Sequence, residues 1–237
     1  DLVNNHIYYT EGRTDFAAAP GEIIRVDLDG TNRTSIYSAA NTQIIDVVVD
    51  LSTEMVYMTT LFFDINVVPP SQVSVSSLPL GGSDVTELVD ESSGIDTPIF
   101  FMDYDPAVGR LFWGASDFNI GNDMGGLQTI NTDGTGFTSL AAAGDDAVSV
   151  ALDTEAQVAY YQDVEGNISV INYDGTGNTP LISNNLSGAT TGIALNSSPD
   201  TNSAPVANND DYTATIGETL TVNAPGVLDN DTDAEMD

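Results

Sequence analysis

A single pattern of residues occurs four times along this chain. Each copy begins with a short stretch rich in aromatic side chains, and the four stretches are residues 7–10 (IYYT), 56–59 (VYMT), 111–114 (LFWG) and 159–162 (AYYQ). Aligned on their aromatic residues, the copies are spaced roughly 50 residues apart. A period of this size indicates one repeated supersecondary unit that buries its apolar faces against its neighbours.

From the second repeat onward, each copy also contains the sequences of three further short strands, and the first copy contains two of them. An alternating strand follows the aromatic one, a short outer strand comes next, and an inner strand precedes the aromatic strand from the second repeat onward. Asp-Gly and Gly-Gly pairs, which fit hairpin turns with positive φ, join the alternating and outer strands at residues 29–31, 81–83, 133–135 and 174–176. Four strands per repeat predict an all-β fold, a β-propeller with four four-stranded blades.

The two ends of the repeat region are unequal. The first repeat lacks an inner strand, because Asp1-Leu2 corresponds to Asp50-Leu51, which directly follows the inner strand of the second repeat. Residues 192–196 (GIALN) read as an inner strand that no aromatic strand follows. A closed sheet has no free edges, so we expect this C-terminal strand to pair with the first blade and close the ring.

The charge of the chain restricts its partners. It has 36 acidic residues against four arginines, and its formal net charge is −32. We expect no nucleic acid partner, because phosphates would be repelled by this surface. Hydrophobic residues make up 41% of the chain, so the acidity fits a folded protein in saline or calcium-rich surroundings. Cysteine is absent, and no apolar run reaches the ~18 residues of a membrane span.

Several strands and turns resemble one propeller family. The strands at residues 8–11 (YYTE) and 160–163 (YYQD), and the turns at 25–31 (RVDLDGT) and 170–176 (VINYDGT), are similar to those of YWTD-type propellers. That family occurs in low-density-lipoprotein-receptor ectodomains and in bacterial secreted proteins, usually with six blades. The resemblance covers residues 1–196, although no blade has the full motif. A small ring and two further blades upstream remain as alternatives.

The last part of the chain has a different character. Residues 197–203 form a polar linker. The stretches 204–210 (APVANND) and 227–233 (VLDNDTD) then resemble the start of a bacterial cadherin-like module. Residues 204–237 are too few for the core of an Ig-like sandwich, so the resemblance implies the N-terminal part of such a module. In the alternative, this extended β segment adds as a donor strand to a neighbouring subunit.

Calcium is the one cofactor that the sequence suggests. Cadherin-like modules bind it through acidic clusters where modules join, so the resemblance implies Asp229, Asp231 and Asp233 as ligands. The three residues alternate, which directs their carboxylates to one side of an extended segment. Asp210 and Asp211 are further candidates. A solvated acidic turn is the other interpretation of this cluster.

Nothing in the sequence forms a catalytic motif. His6 is the only histidine, and no serine lies in a nucleophile-elbow pattern. With one histidine and no cysteine, a zinc site of the His/Cys type is excluded. No pair of carboxylates stands out as glycosidase acid and base. We therefore expect that the protein is not an enzyme.

Apolar insertions are the best candidates for protein contacts. The aromatic residues of the repeats are expected to pack between blades rather than to bind ligands. Residues 61–70 and 118–124 instead read as exposed loops on a rigid scaffold, where recognition is common. The predicted partner-binding residues are Leu61, Phe62, Phe63, Val67, Val68 and Phe118.

These features predict a bacterial protein that is secreted or displayed on the cell surface. Its expected function is non-catalytic: adhesion, or subunit assembly of an extracellular fibre or filament. The expected partners are other protein subunits, copies of the same chain, or surface glycans. The alternative is a propeller enzyme that acts on an extracellular polysaccharide or lactone with calcium in its channel, since one fold hosts both classes.

Overall fold

The computed structural model describes most of the chain in two compact units, Asp1–Leu195 and Asn196–Asp237. Regular structure in the described part consists of β-strands and two short 3-10 helices, and no described helix is long and apolar enough to cross a membrane. The described residues are 1, 3–12, 20–63, 71–95, 99–115, 126–140, 146–183, 192–195, 206–222, 226–228 and 230–232.

The described strands of the first unit form four antiparallel sheets, each made of strands consecutive in the chain. Blade 1 contains β1 (His6–Glu11), β2 (Gly21–Asp27) and β3 (Thr34–Ala39). Blade 2 contains β4 (Thr42–Asp50), β5 (Met55–Phe63), β6 (Ser71–Pro79) and β7 (Thr86–Asp90). Blade 3 contains β8 (Ile99–Asp105), β9 (Arg110–Ala115), β10 (Gly126–Asn131) and β11 (Thr138–Ser139). Blade 4 contains β12 (Ala147–Asp153), β13 (Val158–Asp163), β14 (Ile168–Asn172) and β15 (Thr179–Ile182).

The predicted propeller of four blades is confirmed. Neighbouring blades meet through their inner strands, so that β4 lies against β1 and β8, and β8 lies against β12. Blade 1 has three strands in the described region, as the missing inner strand at the start of the chain predicts. At the start of β1, on the side where that strand would lie, the carbonyl oxygen of Asp1 accepts a 2.9 Å hydrogen bond from the His6 N–H.

The Asp-Gly-Thr turns are equivalent in blades 1, 3 and 4. In each turn one aspartate oxygen accepts hydrogen bonds from the backbone N–H and the hydroxyl of the threonine two residues later, at 2.6–2.9 Å. The intervening glycine has a φ of +82° or +83°, a conformation that L side chains avoid. These local contacts account for the hairpins predicted from the sequence.

The apolar core lies in layers between the blades. The pleat of β9 shows how one strand serves two layers: Phe112 faces the cluster shared with blade 4, and Trp113 faces the cluster shared with blade 2. Both side chains are fully buried, and Tyr57 and Tyr161 are nearly so, which confirms the prediction that the repeat aromatics form the core. A third cluster, around Ile23 and Met58, joins blades 1 and 2.

The predicted closure of the ring was wrong for the described residues. No described strand pairs with the free edge of β1, and residues 192–195 do not form a strand. The Ile193 N–H instead donates to the Ser149 hydroxyl, at 3.1 Å, on the inner strand of blade 4. A hydrogen bond to a side chain satisfies this backbone group without a ladder. The segment therefore lies beside blade 4, and no described strand covers the edge of β1.

Candidate functional site

The open edge of β1 is the first candidate site, and its geometry follows from the β1–β2 register. Leu28 N–H donates to the Asn5 carbonyl at 2.9 Å, so residues 5 and 28 form a hydrogen-bonded pair. Such pairs alternate along an antiparallel ladder, and Tyr9 opposite Ile24 is therefore another one. The backbone N–H and C=O groups of the intervening residues, Tyr8 and Thr10, are consequently directed away from β2 toward the open edge.

The edge of β1 has few of the features that usually prevent a free strand from pairing with another strand. β1 contains no lysine or proline, and Ile7 is exposed over 44% of its surface. An ion pair between Arg33 and Glu11 lies at the far end of the strand, where Arg33 also donates to the Tyr9 hydroxyl at 3.2 Å. An edge of this kind is able to accept another strand.

Two half-buried aspartates bind neighbouring inner strands together. Asp46 on β4 accepts the N–H of Val47 at 2.9 Å with one oxygen and the N–H of Met102, on β8, at 2.8 Å with the other. Asp103 on β8 repeats the arrangement, with Tyr104 N–H at 2.8 Å and Leu152 N–H, on β12, at 2.9 Å. These carboxylates replace a backbone ladder at the junctions between blades.

Burial raises the pKa of both Asp46 and Asp103 above the ordinary value of an aspartate, although the backbone N–H groups act in the opposite direction. Repulsion from Asp103 adds to the rise at Asp46, and repulsion from Asp105 adds to it at Asp103. A raised pKa in the folded state means that the folded protein holds these protons more tightly than the unfolded chain does.

The pH dependence of Asp103→Asn tests this electrostatic arrangement. The protonated carboxyl of Asp103 contributes stability to the wild type at low pH. This contribution is lost as the pH rises from the ordinary aspartate pKa through the raised pKa of Asp103. The stability of the wild type minus that of Asp103→Asn, measured by urea unfolding, should therefore fall as the pH rises above the ordinary aspartate pKa of about 3.9. Asp133→Asn is the control of opposite sign, because its hydrogen bonds to Thr135 lower the pKa of Asp133. A flat difference for Asp103→Asn would contradict this explanation.

A second set of aspartates ends the inner strands and caps the turns that follow. Asp50, Asp105 and Asp153 accept backbone N–H groups two or three residues later at 2.8–2.9 Å, and Asp1 does the same for Asn4. Burial acts to raise the pKa of Asp50, but hydrogen bonds from Thr53, Ser52 and Tyr104 outweigh it and lower the pKa below its ordinary value. These carboxylates are engaged in turn structure and in one contact between blades, Tyr104 to Asp50 at 2.9 Å.

The remaining chemistry near the inner strands is limited. Within the described residues, no three His, Cys, Asp or Glu side chains are grouped so that they could hold a metal ion. His6 lies between two carboxylates, 3.5 Å from Asp1 and 3.4 Å from Asp27, at the base of the β1–β2 hairpin.

A groove between blades 1 and 2 is the second candidate site. It has a volume of about 810 Å³, within the usual range for ligand pockets. Its floor on blade 2 is a row of hydroxyls, in which Thr60 and Ser74 lie 2.8 Å apart and Ser74 and Ser76 lie 3.3 Å apart. Tyr37 and Phe62 supply aromatic walls, and the carboxylates of Glu87 and Asp90 also line it.

One alternating stretch of β6 indicates this groove from the sequence alone, although the aromatic repeat is the more prominent pattern. The stretch Val73-Ser74-Val75-Ser76 alternates, and the valines join the core toward blade 3 while the serines face the groove. A third strand inside a propeller is covered on both faces, so small hydroxyl side chains along one face indicate an incompletely filled space. The bridging role of Asp46 and Asp103 had no comparable signal, because it depends on contacts between blades.

The predicted partner-binding residues occupy different places. The prediction of a loop from residue 61 onward was wrong for Leu61, Phe62 and Phe63, because β5 continues to Phe63 in register with Ser71. Leu61 packs against the core between blades 2 and 3, whereas Phe62 lines the groove. Val67, Val68 and Phe118 lie outside the described residues.

The C-terminal unit brings the segments around Val206 and Thr232 side by side. Val206 and Thr232 form an isolated antiparallel bridge, and Asp231 accepts the N–H of Asn208 at 2.8 Å. Of the predicted calcium ligands, Asp231 is half-buried beside this bridge, and Asp210 and Asp211 lie in the neighbouring segment. Asp229 and Asp233 lie outside the described residues.

Comparison with known proteins defines this chain as a β-propeller. It is similar to a chain of a nidogen/laminin complex, with 20% identity and a TM-score of 0.56 over 74% of this chain and 63% of that one. It is also similar to an oligogalacturonate lyase solved with manganese, with 12% identity and a TM-score of 0.53 over 75% of this chain and 50% of that one. A protein of Agrobacterium tumefaciens described as TolB matches with 10% identity and a TM-score of 0.54 over 75% of this chain and 61% of that one.

These similarities establish the fold of the chain but neither its family nor its function. The chain spans between half and two thirds of the length of these solved structures. No protein-family model matches the chain, and no curated protein matches it.

Proposed function

We propose that this chain is a non-catalytic, extracellular interaction protein whose propeller takes part in adhesion or in the assembly of subunits into a fibre. The observation that carries the proposal is the open edge of β1. It presents outward-directed backbone groups at Tyr8 and Thr10, and no described strand covers it. A sheet edge of this kind binds an extended segment of another subunit by adding one strand.

Two further observations support an interaction role. One structurally similar propeller was solved in a complex of nidogen with laminin, which is a complex between proteins. The net charge of −32 disfavours nucleic acid and leaves proteins and neutral surfaces as the compatible partners. In this proposal the inner-strand aspartates hold the blades together, and the edge makes the contact.

The proposal also assigns the blades and the C-terminal unit to protein families. The blades are assigned to the YWTD type, and residues 204–237 to the start of a cadherin-like module that continues the array. Calcium is proposed as its ion, with Asp229, Asp231 and Asp233 as ligands and Asp210 and Asp211 nearby. The bridge between Val206 and Thr232 supports this assignment, because it joins the two stretches that resemble the module.

Thr10→Pro tests the edge directly. Proline removes the outward N–H of residue 10 but leaves the β1–β2 ladder intact, because that N–H does not bond to β2. We expect the wild type to form particles larger than the 24.9 kDa monomer in light scattering, and Thr10→Pro to remain monomeric. Thr10→Val is the matched control, since it changes the side chain and keeps the N–H.

The outcomes of this test are distinct. Assembly of Thr10→Val together with loss of assembly in Thr10→Pro, at unchanged circular dichroism, would support strand addition at β1. A wild type that stays monomeric at every concentration, or a Thr10→Pro variant that assembles as well as the wild type, would refute the proposed role of this edge.

A further inference from the structure

We infer that the groove between blades 1 and 2 is a binding site for a short neutral oligosaccharide. This inference is independent of the proposed assembly, because the groove and the β1 edge share no residue. It rests on the shape of the groove, on the row of hydroxyls along its floor, and on the aromatic and acidic side chains around it.

The hydroxyl row is suited to polar ligands without charge. Thr60 and Ser76 are 7% and 3% exposed, and Ser74 links them through contacts of 2.8 Å and 3.3 Å. Each hydroxyl has one donor and two acceptor positions, so two mutual contacts leave most of this capacity unused. Sugar hydroxyls are both donors and acceptors, and they can pair with such a row in either direction.

The rest of the lining selects among polar ligands. Tyr37 and Phe62 provide apolar surfaces for the C–H faces of a sugar ring, and Gln72 adds an amide. The carboxylates of Glu87 and Asp90 accept hydrogen bonds from sugar hydroxyls and repel uronic acids and sulfated sugars. The chain has no lysine, and no arginine of the described residues lines the groove, so an anionic glycan finds no counter-charge among them.

The carboxylates alone would also suit a basic peptide, but the floor argues against that occupant. Asp90 uses one carboxylate oxygen for its own turn, where it accepts hydrogen bonds from the Ser92 hydroxyl at 2.6 Å and the Ser93 hydroxyl at 3.1 Å. Ser76 pairs with Glu87 across β6 and β7, so a carboxylate lies beside the hydroxyl row. A lysine ammonium only donates hydrogen bonds and would leave the donor positions of the row unpaired, whereas sugar hydroxyls both donate and accept. The lining therefore fits a neutral glycan better than a cation.

Titration calorimetry with neutral hexasaccharides of glucose, galactose, mannose and xylose tests this inference. We expect at least one of them to bind the full chain with an affinity that does not depend on salt, because no charge pairs form. Ser74→Ala interrupts the hydroxyl row and should weaken that binding about tenfold. Ser169→Ala, at a half-buried serine of β14 outside the groove, is the matched control and should bind like the wild type.

Three results would overturn the inference. The first is that none of the four hexasaccharides binds the folded wild type. The second is that Ser74→Ala binds as tightly as Ser169→Ala, which would move the site elsewhere. The third is that oligolysine binds instead, with a salt-dependent affinity that Glu87→Gln abolishes, which would identify a site for basic peptides.

Discussion

Trp113→Ala is expected to destabilise the propeller by about 3–5 kcal/mol, a large part of the total stability of a typical domain. Trp113 is fully buried on β9 in the cluster between blades 2 and 3. Its indole ring stacks on Phe137, with 6.1 Å between ring centroids, and its N–H donates to the Gln128 side-chain oxygen at 3.1 Å. The alanine variant loses the apolar contacts and leaves both a cavity and an unpaired buried amide.

A second variant separates these two contributions. Trp113→Phe keeps most of the apolar contact but removes the indole N–H and part of the ring, so it should cost about 1–3 kcal/mol. Urea unfolding followed by circular dichroism is the appropriate measurement, because Trp113 is the only tryptophan and its fluorescence disappears in both variants. Equal stability of Trp113→Ala and the wild type would contradict the assignment of this residue to the core.

Gly114→Ala is expected to destabilise the propeller strongly although it adds a single methyl group. A Cβ at this position would collide with the backbone carbonyl of Ala147, where β9 of blade 3 meets the start of β12 in blade 4. Backbone atoms cannot rotate away as a side chain can, so the two blades would have to separate. Overpacking of this kind costs about 1–3 kcal/mol, and the cost of separating the blades adds to it.

Gly12→Ala is the matched control for this prediction. Among the described residues, a Cβ at Gly12 would meet the Gln43 side chain alone, at an ordinary contact distance of 3.5 Å. We expect its unfolding midpoint in urea to lie close to that of the wild type, and that of Gly114→Ala to lie well below it. Similar midpoints for the two variants would mean that blades 3 and 4 do not approach each other as closely as described.

The parts of the fold that depend on local chemistry could be predicted from the sequence. The Asp-Gly-Thr turns form through hydrogen bonds between residues two apart, such as Asp133 and Thr135, so a short window of sequence contains all the partners. The burial of Trp113 and Tyr57 could also be predicted, because their place in the repeat assigns them to the layers between blades. The number of blades and the order of the strands followed from the same repeat.

Features that depend on contacts between distant residues could not be predicted in the same way. The bond from Met102 N–H to Asp46 joins residues of different blades, and nothing in either stretch specifies the other. The ring closure failed for a related reason: the pattern of residues 192–195 fits an inner strand, but Ile193 finds a partner in Ser149 of blade 4. The groove arises where two blades meet. The serines of β6 line it together with Tyr37 of blade 1, and nothing in either stretch of sequence specifies the other.

The central claim is that another subunit completes blade 1 at the open edge of β1. Cryo-electron microscopy of the assembled wild-type particles tests it most directly. We predict density for an added strand that pairs with the outward backbone groups of Tyr8 and Thr10, and that comes from a neighbouring subunit. Assembled particles in which the edge of β1 is bare, and the subunits meet through other surfaces, would contradict the claim.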